Sequence, residues 1–359
     1  MRHLPAFRSR RFPGPRHLYA LLALPLIAGG LLLSDPDPAE ATGATAPSAV
    51  VDYLHQITGN HIISGQHNKE PASQPGAYTA KAHDITGKWP GLWGGDFLFG
   101  ASDVADRQSE IDQATIEWSH GSLVNLTWHV CPPTRGSSCG WDPGTGVEDH
   151  LSDQQWSELV TDGTTLNTAW KHRLDEVVPY FQQLKDAGVP VLFRPLHEMN
   201  QGWAWWGGRP GADGSRRLYQ ITHDYLRNTK GLDNIIWVWN VKDIAGGASH
   251  VADYYPGDAY ADVVSLDAWE QNYPSTEWYQ AIQNIAHGKP TALAEVGKIP
   301  SPADLDAQPN WVWFMVWSEY LTDTAYNTPD AVRATYNAPR VLSQGEFGIP
   351  GAGTAASAK

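Results

Sequence analysis

Eight short apolar runs recur along this chain, at 61–65, 91–95, 123–128, 189–196, 235–239, 263–266, 291–294 and 311–316, with helical patterns between most of them. An unbroken apolar run of roughly four to eight residues is what a strand buried on both faces requires, since neither side meets water. The clearest intervening pattern puts Leu166, Trp170, Leu174, Val177, Phe181 and Leu184 on one helical face and stops at Gly188, with Pro179 placed to kink it. A second helix is expected over 215–230, burying Leu218, Ile221, Tyr225 and Leu226 ahead of Gly231. Strands alternating with helices through right-handed crossovers predict an α/β fold, a (β/α)8 TIM barrel. The rival, a doubly wound open sheet, needs a glycine-rich phosphate loop after its first strand, and Ile63-Ser64-Gly65-Gln66-His67 is not one.

A barrel sends its strand ends into one bowl, where such folds do chemistry. Here those ends carry Gln66, His67, Asp96, Trp128, His129, His197, Glu198, Trp239, Asn240, Asp267, Trp269, Glu295 and Trp317; His61 and His250 belong to the background. Glu198 and Glu295 would close strands four and seven and face each other, and two opposed carboxylates suffice to cleave a glycosidic bond. Other chemistries lack their equipment. The fourth residue after His197 is Gln201, which rules out a His-Glu-x-x-His zinc site; the chain contains no His-x-His, and no Gly-x-Ser-x-Gly stands directly at the end of a predicted strand, where a serine hydrolase's elbow would be. No metal and no cofactor is therefore expected.

Five arginines precede an apolar run over 18–33 and a cleavage-like Ala39-Glu40-Ala41. Residues 1–41 thus read as a secretory signal, too short in its apolar part for a membrane anchor. Of 25 basic and 39 acidic residues, the signal takes five and three, which leaves a mature chain of charge −16. Such acidity argues against nucleic acid as a partner, and after signal cleavage no other segment is long and apolar enough to cross a membrane, so none is expected as a partner. Together with 17 tryptophans, whose flat faces suit sugar rings as well as cores, the acidity fits an exported, extracellular protein with a neutral ligand; a monomer is expected. The cysteines, Cys131 and Cys139, are close enough in an exported chain to predict a disulfide, a closure contributing about 2.5 kcal/mol in the chain-entropy account. One catalytic domain is expected over 47–350, followed by a flexible tail at 351–359.

The stretch Arg194-Pro195-Leu196-His197-Glu198-Met199-Asn200-Gln201-Gly202-Trp203-Ala204-Trp205-Trp206-Gly207 resembles the strand-four signature of glycoside hydrolase family 26, whose best-known members are β-mannanases. Ser64-Gly65-Gln66-His67, Trp128-His129, Tyr255-Pro256-Gly257-Asp258 with Asp267, Ala294-Glu295-Val296-Gly297 and Phe314-Met315-Val316-Trp317-Ser318 follow the family order, so the likeness spans nearly all of 50–345. The resemblance implies Glu198 as general acid/base and Glu295 as nucleophile of a retaining double displacement. It also implies that His129 and His197 bind the sugar in the cleavage subsite, His197 touching the nucleophile too, and that Trp203 and Trp317 stack beside the scissile bond. Arg194 shares a strand face with Glu198 and is placed to keep Glu295 ionised. One of Trp205 and Trp206 is expected in the core.

One departure stands out. The family pattern after strand six is Asp-x-Tyr, the tyrosine touching the nucleophile, whereas this chain reads Asp267-Ala268-Trp269. An indole N–H donates a hydrogen bond but accepts none. Trp269, or nearby Tyr273, would then shape the cleavage subsite together with Asp267. The leading expectation is a secreted endo-β-1,4-mannanase acting on mannan, glucomannan or galactomannan. The alternatives are a mixed-linkage β-glucanase or β-1,3-xylanase of the same family, a barrel that binds polysaccharide without cutting it, and a metal-dependent sugar deacetylase.

Overall fold

The computed structural model describes residues 46–244, 248–269 and 274–353. The expected signal at 1–41, Tyr273 and most of the expected tail lie outside them. Eight parallel strands form in order: β1 (Ile62–His67), β2 (Leu92–Asp96), β3 (Leu123–Trp128), β4 (Val191–Pro195), β5 (Ile235–Lys242), β6 (Val263–Ala268), β7 (Thr291–Val296) and β8 (Trp311–Val316). Each pairs with the next, and β8 pairs with β1, closing the barrel that the apolar runs predict.

The strands extend beyond several apolar runs because their polar ends find partners indoors. β1 reaches His67, since Gln66 Nε2 donates to the Val316 carbonyl at 3.1 Å and His67 Nδ1 meets Ser318 Oγ at 2.9 Å. β5 runs to Lys242, three residues past its apolar stretch. β4 stops at Pro195, short of the expected 196, because Leu196 enters the left-handed region at φ 52°. A ninth strand, β9 (Val341–Leu342), was not legible in the sequence. It pairs with the start of β1, whose contact with β2 begins only at Gly65.

The long helix expected to kink at Pro179 is two helices, Thr165–Asp175 and Val178–Asp186. Proline is well tolerated in a first turn, where its missing N–H has no partner to lose, so the chain restarts there instead of bending. The 215–230 helix likewise changes at Tyr225, from an α-helix over Ser215–Asp224 to a π-helical turn over Tyr225–Thr229. Gly188 and Gly231 terminate these segments at φ 69° and 70°, as a left-handed C-cap requires. Ser152, Thr164, Ser275 and Thr328 each cap the helix that follows through a side-chain oxygen.

Packing sorts the tryptophans. Twelve of the 17 are buried in the core. Of the other five, Trp141, Trp203, Trp269 and Trp317 gather at the C-terminal mouth of the barrel and only Trp89 lies elsewhere. Beneath the mouth the strands leave no spare volume. A Cβ on Gly65 would lie 2.6 Å from the Phe314 carbonyl oxygen on β8, an atom held in the sheet. Gly65→Ala should therefore destabilise the barrel by about 1–3 kcal/mol, read as a lower denaturant midpoint at unchanged slope. An unchanged midpoint would show that β1 and β8 can separate without cost.

Candidate active site

Glu295 lies within β7, while Glu198 sits three residues beyond the end of β4, in left-handed backbone at φ 51°. That conformation is costly for glutamate and persists because its surroundings fix it. The Glu198 N–H donates to Asn240 Oδ1 at 2.7 Å, and the amide of Asn240 donates in turn to Ser265 Oγ at 3.0 Å and Asp267 Oδ1 at 2.7 Å. One side chain from β5 thereby ties the loop after β4 to β6.

Arg194 is wholly buried and forks between two carboxylates, with Nη1 2.6 Å from Asp267 Oδ2 and Nη2 hydrogen-bonded to Glu295 Oε1. Burial alone would lower its pKa, but Asp267 and Glu295 outweigh that and raise it, so the guanidinium is a fixed cation. Sequence reasoning paired Arg194 with Glu295; it did not foresee that Asp267 shares the same fork. Asp267, expected at the sugar, is fully buried, with Oδ1 accepting from Asn240 and Oδ2 from Arg194.

Glu198, Asp267 and Glu295 each bring an oxygen within 4.8 Å of the others, and both glutamates are only 3% exposed. Among the described residues this is the one cluster of such groups close enough to hold a metal ion, but protein cations already serve it. Arg194 bridges two members, and Lys242 Nζ lies 3.1 Å from Glu198 Oε2. The Trp203 indole N–H donates to the same Oε2 at 2.5 Å. Burial pushes the Glu198 carboxyl above its ordinary value, Lys242 opposes the rise and Glu295 adds to it. A raised carboxyl pKa favours the protonated form, which suits a group that must first donate a proton and later take one up.

The histidines divide in character. His129 Nδ1 is hydrogen-bonded to Asp96; burial works against the charged ring, but Asp96 prevails and raises its pKa. His197 is 1% exposed and held well below its usual value, first by burial and then by Arg194 and His129, so its ring is neutral. The two rings meet edge to face at 4.5 Å. His67 is pushed down to about 3 by burial and lies flat beneath Trp317 at 3.9 Å.

Trp203 faces the groove and is stacked by Trp141 at 5.4 Å and 17°. Trp205 and Trp206 are both buried, not one alone as expected, because their N–H groups brace the backbone of Val130 and His197. Trp269 contacts Trp317 and Tyr320 edge-on, and among the described residues its indole N–H has no hydrogen-bond partner, so it makes no bond to Glu295. The disulfide joins Cys131 and Cys139 as expected and closes the loop that presents Trp141, a residue sequence reasoning overlooked. Beside these rings opens a cavity of about 380 Å³ lined by Lys69, Asp96, Phe99, His129, Trp141, Trp317 and Glu319. The Lys69–Glu319 ion pair, 2.9 Å long, stands at its edge.

Comparison with known proteins agrees with this geometry. The sequence profile described as Glycosyl hydrolase family 26 matches residues 39–346. The chain is 32% identical over 319 residues to a mannan endo-1,4-beta-mannosidase of Thermothelomyces thermophilus, covering 83% of this chain and 61% of that protein; it thus spans about three-fifths of that relative's length. It superposes on GH26A from Muricauda sp. MAR_2010_75 with a TM-score of 0.77 at 34% identity, covering 86% of this chain and 99% of the other. A β-mannanase from a symbiotic protist of the termite Reticulitermes speratus, solved with a gluco-manno-oligosaccharide, gives a TM-score of 0.72 at 28% identity over 85% of this chain and 96% of its own.

Proposed function

The chain belongs to glycosyl hydrolase family 26, and from that premise we propose that it is a retaining endo-β-1,4-mannanase with Glu198 as acid/base and Glu295 as nucleophile. The observation that carries the mechanism is the closeness of the two carboxylates, whose nearest oxygens lie within 4.8 Å. Retaining glycosidases separate their carboxyl groups by about 5–5.5 Å, whereas inverting enzymes need about 6.5–9.5 Å to seat a water between them.

In the first step Glu295 bonds to the anomeric carbon as the glycosidic C–O bond breaks, and the proton of Glu198 passes to the departing oxygen. In the second, Glu198 takes a proton from water as the water oxygen bonds to the same carbon and releases Glu295. Both donors on Glu198 converge on Oε2, which suits Oε1 to carry the proton. Trp203 offers its face to a sugar on one side of the scissile bond. His129 and Trp317 line the other, where the 380 Å³ cavity continues the groove, and neutral His197 packs edge to face on His129. For localisation, we read residues 1–41 as a leader removed on export and residues 47–350 as a monomeric catalytic domain. No described helix is long and apolar enough to cross a membrane.

The sugar is tested by digesting linear mannan, galactomannan, barley mixed-linkage glucan and β-1,3-xylan in parallel and resolving the products with time. Mixed mannooligosaccharides early in the reaction are expected. Products from glucan or xylan alone would keep the two-carboxylate mechanism and replace the substrate, with Trp269 as the first place to look for the cause.

A further inference from the structure

Lys242, beside the carboxylate cluster, is a cation that the sequence motifs do not single out. It closes β5, and its backbone is clamped to the loop that carries Glu198. The Lys242 carbonyl accepts from Asn200 Nδ2 at 2.6 Å and Gln201 Nε2 at 3.0 Å, and its N–H donates to Asn200 Oδ1 at 2.8 Å. Its side chain then crosses the Trp269 ring, with Nζ 5.4 Å from the centroid, and ends 3.1 Å from Glu198 Oε2. A cation held by three backbone contacts, a ring face and a carboxylate has a fixed position. Unlike Arg194 it is not sealed in, since its side chain keeps 27% of its exposure.

We propose that Lys242 is a positioning residue for the acid/base, an ammonium that orients Glu198 and stabilises its ionised form so that one carboxyl can serve both halves of the double displacement. The inference rests on Glu198 being the acid/base. Lys242 keeps its own protons throughout: it neither donates to the leaving oxygen nor takes a proton from water, and only Glu198 changes charge. The charged groups bearing on Glu198 are Lys242 from β5, Asp267 from β6, Glu295 from β7 and Arg194 from β4, while His197 beside it is neutral. Asp243, the next residue after Lys242, accepts from the backbone N–H of Trp269 at 3.0 Å instead. Against burial and two neighbouring carboxylates, Lys242 is the cation that touches Glu198 directly, and it opposes the burial-driven rise. Trp269 gives this arrangement its floor, and a tyrosine there would offer a smaller ring to the ammonium.

The sign of the effect follows. The free enzyme needs Glu198 protonated, so kcat/KM falls as pH rises through the Glu198 pKa, and Lys242 holds that pKa down. Lys242→Met should move the alkaline limb of kcat/KM on mannooligosaccharides upward by about one pH unit. With an aryl β-mannobioside whose leaving group needs no proton, deglycosylation limits kcat and requires ionised Glu198, so the acid limb of kcat should move upward as well. Lys242→Arg, which keeps the charge, should move both limbs less. Limbs that stay in place in Lys242→Met, or that move equally in Lys242→Arg, would overturn the proposal. Glu198→Ala measured alongside separates the two readings: substantial activity there would indict the acid/base assignment, whereas its loss with unmoved limbs in Lys242→Met would indict Lys242 alone.

Discussion

Glu295→Ala is expected to lower turnover on mannan on the order of 10⁴-fold or more, because no other group in the mouth can form the covalent intermediate. Glu198→Ala should also be severely slowed on polysaccharide, where the leaving oxygen must be protonated, but far less on an aryl mannoside with a good leaving group. Azide makes the two roles distinguishable by stereochemistry. In Glu295→Ala it enters where the nucleophile stood and yields the inverted α-azide. In Glu198→Ala it opens the Glu295-linked intermediate from the other face and yields the retained β-azide. The same anomer from both variants would sink the assignment of roles, and near-normal activity in either would remove that glutamate from the mechanism. The open bowl anticipated from sequence is tighter than supposed, with Glu295 3% exposed and bonded to Arg194. Glu295→Gln, which keeps an acceptor for Arg194, is therefore the control for any loss of stability in the alanine variant.

What the sequence disclosed and what it withheld separate along a physical line. The barrel was legible because strands buried on both faces must be apolar throughout, and β3 and β8 coincide with their runs. Glu198, Glu295 and Arg194 were legible because they stand in, or just beyond, such strands, where position fixes direction. Lys242 was not, since it lies three residues beyond the run that announced β5; a lone cation closing an apolar run was the available signal. Trp141 was missed for a different reason. Its orientation depends on a long loop and a disulfide, and nothing in its neighbours states that it will lie against Trp203. The bonds of Asn240 and Arg194 to the two oxygens of Asp267 were not legible either. Pairings of polar groups across strands are decided by register, and β6 and β7 shift register between Leu266 and Asp267.

Arg194→Met should be the most damaging single change outside the two glutamates. The guanidinium is fully buried between Asp267 and Glu295, so its loss strands two carboxylates less than 4.8 Å apart without their shared counter-charge. Breaking a buried pair in this way costs about 3–5 kcal/mol of folding stability. Two such groups cannot both stay ionised in a low-dielectric site, and burial already pushes Asp267 upward with only Arg194 and Asn240 set against it. In the variant the pair retains a proton that the unfolded chain would give up, so the folded state binds more protons than the unfolded one. Stability then rises as pH falls towards the ordinary carboxylate range and declines as pH rises through the pair's own titration. The defect measured by denaturant unfolding should accordingly be smaller at pH 5 than at pH 8. Turnover should be lost over the same range, since Glu295 without its Arg194 contact is misdirected. Arg194→Lys keeps a charge but not the fork, and one ammonium cannot hold both carboxylates in register, so its stability should fall between the two and its activity closer to methionine. A methionine variant equally unstable at both pH values would place the role of Arg194 in packing rather than charge, and one with normal turnover would show that Glu295 needs no partner to attack.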